Sequence, residues 1–259
     1  MQSSCAEIQA RVSDRVLEIT INRPERKNAL TMAMYSAMAE LLDNAAKDAA
    51  IRVAIIAGAE GVFTSGNDLM DFLGGSASGA DSPVWQFMAA LYNFPKPVVA
   101  AVNGPAVGIG TTMLLHCDMA FAGRDAMFQM PFVNLGLCPE YASSFFLPRL
   151  AGHAKASELL LLGKKFGAEE AVELGICNAA VAAEEALVRA RETAAELATK
   201  APEAVRLTKQ LLRQGIQQRG LECMREEGSH FQQRLSSAEF REAATAFMEK
   251  RPADFSSFE

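Results

Sequence analysis

Val53-Ala54-Ile55-Ile56-Ala57-Gly58 is an unbroken apolar run of strand length. A strand with no polar alternate has no face to turn to water, so the run predicts a sheet interior buried on both faces. The flanking patterns agree. Upstream, Val16-Leu17-Glu18-Ile19-Thr20-Ile21 alternates branched apolar and polar residues and stops at Asn22-Arg23-Pro24, as a half-buried strand does before a turn. Between the two runs, Thr31 stands ready to cap a helix in which Met32, Tyr35, Met38, Leu42, Ala45 and Ala49 recur every three or four residues, with Glu40, Asp43 and Lys47 on other faces. Downstream, Pro97–Val102, Asp118–Ala122 and Met127–Phe132 read as strands. A short helix is expected near Trp85–Tyr92, and another runs from the Asn103–Gly110 turn through His116. From Tyr141 the pattern is helical: Ala168–Leu174, stopped by Gly175, then Glu184–Thr199, Pro202–Arg213 and Leu221–Gln233. Ser236-x-x-Glu239 fits a capping box for a last helix whose stripe is Phe240, Ala243, Ala244, Phe247 and Met248, ended by Pro252. Such a stripe calls for a partner, either the body of the domain or another subunit. Gly74–Pro83 is the expected mobile loop. Strand–helix alternation followed by helices predicts an α/β core with a helical C-terminal region.

With 259 residues, half of them hydrophobic, the chain suits one large domain or a domain with a small helical appendage. A formal net charge of −6 without a basic stripe argues against a nucleic-acid partner. No apolar run approaches the roughly 20 residues that span a bilayer. The leading MQSSCAEIQARVSDR resembles neither a signal nor a transit peptide, and the closing Phe255-Ser256-Ser257-Phe258-Glu259 is not a peroxisomal SKL address. A soluble, cytoplasmic protein with no membrane partner is expected. Cys5, Cys117, Cys138, Cys177 and Cys223 lack CxxC spacing, and His116, His153 and His230 lack HExxH or HxH spacing. Free buried thiols and no metal site are the expectation.

Two glycine-bearing turns, Ser65-Gly66-Asn67-Asp68-Leu69 and Gly104–Gly110, each follow an apolar strand and open into a helical pattern. The first amides of a helix lack intrahelical acceptors, so either turn could hold an oxygen that becomes negative. Either could equally be a tight turn needing positive φ. Neither has the spacing of a phosphate loop or a dinucleotide fingerprint. A third feature is Leu137-Cys138-Pro139-Glu140-Tyr141, where an acid lies beside proline and just before Phe145-Phe146-Leu147. Desolvation there would raise the carboxyl toward neutrality and make it a useful base, although a glutamate at that place could also serve only to complement a helix N-terminus.

Taken in order, Asn22-Arg23-Pro24, Lys27-Asn28-Ala29-Leu30, Ser65–Leu69, Lys96-Pro97, Asn103-Gly104-Pro105-Ala106-Val107-Gly108, Gly175 and Glu249-Lys250-Arg251 resemble the crotonase superfamily, the enoyl-CoA hydratase/isomerase family, over nearly the whole chain. The resemblance implies a spiral of ββα units over residues 1–200, carrying the CoA and oxyanion sites, and a helical oligomerisation region over 201–259. It implies a homotrimer or a hexamer made of two trimers. It also implies an acyl-CoA thioester substrate, with coenzyme A arriving as part of that substrate and no separate cofactor. By position, the amides of Asn67 and Ile109 would hold the thioester oxygen. Ser65, Gly66, Asn67, Asp68, Leu69 and Gly108 would contact substrate or CoA, and Arg26 and Lys27 its phosphates.

Hydratases of the family use two glutamates, and Thr112 and Phe132 stand at those places here. Leu135–Ser144 instead resembles the Δ3,Δ2-enoyl-CoA isomerase branch, with Glu140 at the place of its single base and Tyr141 in place of a small residue. The expected activity is therefore transfer of a 3-enoyl-CoA double bond to the 2-trans position, a step associated with fatty-acid β-oxidation. The alternatives are another crotonase reaction (hydratase, hydrolase or C–C bond enzyme) and a non-catalytic acyl-CoA-binding protein. Asp68 reads first as a helix cap. Phe132, Phe145, Phe146, Trp85, His116 and Cys117 read first as packing.

Overall fold

The computed structural model describes residues 1–68, 71 and 82–258. The larger sheet has the order β1 (Ile8–Ser13), β2 (Val16–Ile21), β3 (Val53–Gly58), β4 (Val98–Val102), β6 (Met119–Gly123) and β9 (Ala179–Val181). Only the β1–β2 hairpin is antiparallel; the other neighbours run parallel, with Val16 opposite Val53 and Ala54 opposite Val98. A smaller sheet joins β5 (Pro105–Val107), β7 (Met127–Gln129) and β8 (Lys165–Gly167). Strand pairs followed by helices recur. In the pairs β4–β5 and β6–β7 the first strand enters the larger sheet and the second the smaller one, which gives the spiral of a crotonase-type α/β fold.

The α-helices are α1 (Met32–Lys47), α2 (Pro83–Tyr92), α3 (Ile109–Thr112), α4 (Ser143–Ala151), α5 (His153–Leu162), α6 (Ala168–Glu173), α7 (Ala186–Thr199), α8 (Pro202–Arg213), α9 (Gln217–Leu235) and α10 (Ala238–Glu249) among the described residues, with short 3-10 turns between some of them. The unbroken apolar run is explained by its two neighbours. Val53, Ile55 and Ala57 face Ala190, Ala194 and Ala198 of α7, whose small side chains, four apart, let the helix lie close. Ala54 and Ile56 face the main core with Leu17, Ile19, Val98, Ala100 and α1. Thr31 caps α1 by accepting from Met34 N, as the sequence predicts.

The helical reading of the second half missed β8 and β9, three residues each and without the length that makes a strand pattern legible. β1 was missed as well: it is an edge strand in which only Ile8 is buried, so it carries no alternation, and its turn uses Asp14 and Arg15 in left-handed backbone rather than Asn-Gly. Met127–Phe132 is a strand only to Gln129, and Phe132 begins a 3-10 turn. The cap of α10 is Ser237, which accepts from Phe240 N, while Ser236 closes α9 and Glu239 pairs with Arg234. Its stripe also divides: Phe240, Ala243 and Ala244 are buried, whereas Phe247 and Met248 are exposed. Of the expected loop Gly74–Pro83, residues 74–81 lie outside the described residues. Ser82 caps α2 and Pro83 is its first residue.

Gly104 turns the chain from the larger sheet into the smaller one at φ +61°, and a β-carbon there would collide with the Gly61 carbonyl. Gly104→Ala is expected to destabilise the fold by about 2–4 kcal/mol, read as a loss of urea-unfolding free energy.

Candidate active site

Thr64, fully buried just beyond β3, ties three segments together. Its amide donates to Pro105 O and its carbonyl accepts from Val107 N, both at 3.0 Å. Its hydroxyl donates to Asn28 O at 2.7 Å and accepts from Gly66 N at 3.0 Å. The same strip is edged by Ser65 N donating to Lys27 O, Leu30 N to Gly66 O, and Asp68 N to Leu30 O. Gly66 sits at φ +93°, with Val107 O 2.9 Å from where a β-carbon would stand, so only glycine lets the two turns come this close. Both glycine-bearing turns are thereby fixed to one another and to the 23–30 turn.

Among the described residues, the amides of Asn67 and Ile109 donate no intrachain hydrogen bond. Ile109 is the first residue of α3, where an amide has no helical acceptor, and Asn67 bridges Leu30 through the atoms of its neighbours. The Asn67 side chain is held from behind by Tyr35 of α1, whose hydroxyl donates to Asn67 Oδ1. Tyr35 is fully buried and packs its ring 5.5 Å from that of Phe87 on α2.

Glu140 lies only 6% exposed, and its Oε1 accepts from the Thr112 hydroxyl at 2.7 Å. Thr112 is the last residue of α3, so one short helix both presents the Ile109 amide and holds the Glu140 carboxyl. Burial raises that carboxyl from 4.5 to about 7; the Thr112 hydrogen bond opposes the rise and the negative charge of Glu227 adds to it. The backbone that carries it is unusual. Tyr141 and Ala142 both adopt left-handed conformations, at φ 59° and 55°, without being glycine. The turn is held on every side: His116 Nε2 meets Tyr141 O at 2.7 Å, the Tyr141 hydroxyl donates to Met88 O at 2.9 Å, and the Ser143 hydroxyl donates to Glu140 O at 2.6 Å. Glu227 of α9 accepts from Ala142 N at 2.5 Å and from Ser144 N at 2.9 Å. Burial pushes His116 down to about 3, so its ring is neutral and Nε2 is the donor to the Tyr141 carbonyl.

The structure thus brings Ser65, Gly66, Asn67, Asp68, Gly108, Ile109 and Glu140 into one continuous set of contacts. Arg26 and Lys27 are exposed on the turn beside it, joined to Ser65 through their backbone carbonyls. Leu69 lies outside the described residues. Asp68 pairs with Arg23 at 2.7 Å; the expectation that it caps a helix falls on residues outside the described ones. Phe132, Phe145 and Cys117 pack as expected. His116 does more than pack, because it fastens the Glu140 turn. Tyr35, Thr112 in its role as a hydrogen-bond donor, and Glu227 went unread. One signal for Glu227 was present: it falls on the buried face Gly220, Cys223, Met224, Glu227 of α9, where an acid breaks the apolar pattern.

The chain belongs to the enoyl-CoA hydratase/isomerase family, whose pattern it matches over residues 11–257. It is 35% identical to rat (Rattus norvegicus) enoyl-CoA delta isomerase 2 over 92% of its own length, and it spans 62% of that protein. It is equally similar, at 35%, to the 1,2-epoxyphenylacetyl-CoA isomerase of Escherichia coli, with 96% of this chain and 97% of that one covered. The structure of Pseudomonas aeruginosa OdaA superposes with a TM-score of 0.92 at 50% identity, covering 94% and 99% of the two chains. Proteins named as hydratases and dehydratases match at comparable identity.

The raised Glu140 carboxyl has a consequence for stability. The folded chain binds this proton up to about pH 7 and the unfolded chain only to about 4.5, so the contribution of Glu140 is fully favourable below 4.5 and is lost as pH rises through 7. Glu140→Gln is therefore expected to stabilise the protein by about 3 kcal/mol at pH 8 and by under about 1 kcal/mol at pH 5, checked by chemical denaturation at the two pH values.

Proposed function

We propose that the protein is a Δ3,Δ2-enoyl-CoA isomerase in which Glu140 alone moves the proton. The observation that carries this reading is a buried carboxyl near neutrality, held by Thr112 on the same short helix that presents the Ile109 amide, unpaired among the described residues. In the ionised form Glu140 takes a proton from C2 of a 3-enoyl-CoA. The electrons flow into the thioester, whose oxygen gains negative charge and receives the amides of Asn67 and Ile109. The C3–C4 double bond shifts to C2–C3 when the same carboxyl returns the proton to C4. No water is consumed, which accords with Thr112 and Phe132 at the hydratase glutamate places. Asn67 and Ile109 supply donors that rigid hydrogen bonding has already oriented, so little reorganisation is needed as charge develops. Coenzyme A enters as part of the substrate, with Arg26 and Lys27 at the rim for its phosphates.

A second reading is favoured by one comparison: the 35% likeness to a 1,2-epoxyphenylacetyl-CoA isomerase spans nearly all of both chains. A single base beside an oxyanion site also suits isomerisation of that other acyl-CoA.

The test runs 3-hexenoyl-CoA isomerisation, crotonyl-CoA hydration and 1,2-epoxyphenylacetyl-CoA isomerisation side by side. Isomerisation of 3-hexenoyl-CoA is expected to dominate, with turnover lost by at least about 10²-fold in Glu140→Gln while acyl-CoA binding persists. Comparable turnover by that variant removes Glu140 from the mechanism, and faster turnover of either other substrate replaces the reading. Because the base must be ionised, kcat/KM is expected to fall below a midpoint near pH 7. Thr112→Val, which removes the hydrogen bond that favours the ionised form, is expected to move that midpoint to higher pH.

A further inference from the structure

Helix α4 begins at a residue that cannot cap it. Ala142, the residue before its first turn, lies in left-handed backbone and has no side-chain acceptor to offer. The capping oxygens come from more than eighty residues away, from Glu227 on α9. Its Oε2 accepts from Ala142 N at 2.5 Å, while Oε1 accepts from Ser144 N at 2.9 Å and from the Ser144 hydroxyl at 2.5 Å. Glu227 is 7% exposed, and the described residues provide it with no cation. Arg149 stacks over Phe145 and donates to Phe145 O, and Arg219 faces Glu222 and Glu226. Only Tyr141 separates Ala142 from Glu140, so the carboxylate of Glu227 holds the strained turn that aims the carboxyl of Glu140.

We propose that Glu227 is the positioning residue for Glu140: it fixes the 140–144 turn in its left-handed form and places a second negative charge behind the carboxyl. The proposal rests on the reading of Glu140 as the base. A glutamine could not replace it, because its amide nitrogen would turn a donor toward Ala142 N or Ser144 N, where both partners donate. Nor does the arrangement look like support of the fold alone, since an apolar side chain on this face of α9 would pack as Cys223 and Met224 do. A carboxylate there costs desolvation, and burial raises Glu227 too, against the pull of the Ser144 and Ala142 donors. What its negative charge does for Glu140 has a definite sign: it opposes ionisation and so raises the carboxyl toward neutrality, with burial as the larger cause. Other titratable or charged groups around Glu227 are Cys138 on the loop, Arg149 on α4, and Arg219, Cys223, Glu226 and His230 on α9 itself; Tyr35 of α1 interacts electrostatically with Glu140.

The experiment uses the full-length protein, wild type and the variants Glu227→Gln and Glu227→Asp. One arm measures kcat and KM for 3-hexenoyl-CoA from pH 5 to 9. The other follows the Glu140 carboxyl by infrared difference spectroscopy against Glu140→Gln, with no turnover required. In Glu227→Gln, kcat is expected to fall about 10²-fold, the order expected for a misplaced catalytic group, with KM little changed. Both the acid limb of kcat/KM and the titration of Glu140 are expected to move to lower pH. An unmoved Glu140 titration, or full wild-type kcat, overturns the proposal. Should Glu227→Gln not fold, Glu227→Asp decides: it keeps the charge but is one methylene too short to reach both amides, so kcat is expected to fall about tenfold with the titration unmoved, and wild-type kcat overturns the proposal. Loss of the isomerase reading is distinguishable. The wild type would then not turn over 3-hexenoyl-CoA, or Glu140→Gln would, while the infrared arm still reports whether Glu227 governs Glu140.

Discussion

Keeping a carboxyl in the interior at a fixed place is the demand that organises this molecule, and the turn from Glu140 to Ser144 shows how it is met. Two successive non-glycine residues in left-handed backbone cost on the order of 1–3 kcal/mol each, and a buried carboxyl adds a desolvation term. Neither would persist in an isolated loop. They persist here because His116 from the 3-10 turn after α3, the Met88 carbonyl on α2, Thr112 on α3 and Glu227 on α9 each bind a different atom of the turn. Four elements distant in sequence converge on five residues, so the conformation is over-determined by the fold.

The opposite wall of the site is built by a different economy of atoms. Thr64 uses its amide, carbonyl and hydroxyl to hold three segments, and Gly66 supplies the missing β-carbon that lets two of them touch. The amides left over are the ones of interest, at Asn67 and Ile109. Position in the strip, rather than any special chemistry of asparagine or isoleucine, leaves them without an acceptor among the described residues. Backbone donors held this way keep their direction when a ligand oxygen arrives, because turning them would break the bonds of Thr64. The two walls meet through α3, four residues long, which begins with one of those amides and ends with the hydroxyl on Glu140.

Placing a family's chemistry on this chain is also a matter of subtraction. By the resemblance, Thr112 and Phe132 fall where hydratases carry carboxylates, and in this fold the Thr112 hydroxyl donates to Glu140. That hydrogen bond lowers the carboxyl against the larger effect of burial, which helps hold it near neutrality.

Much was legible in the sequence because local pattern suffices for it. The two-faced burial of Val53–Gly58, the Thr31 cap and the helices of the second half follow from periodicity and from residues adjacent in the chain. The ordered motifs singled out Asn67, Ile109 and Glu140 as candidates. Short strands such as β8 and β9 and the exposed edge strand β1 were not legible, because three residues or a single buried side chain carry no period. What only the tertiary structure decided is the company these residues keep: Tyr35 on Asn67, Thr112 on Glu140, and Glu227 capping a helix whose own first residue cannot. Those contacts join positions separated by 32, 28 and 85 residues, and hydrogen bonds across such separations depend on how helices and sheets pack, which no window of sequence encodes.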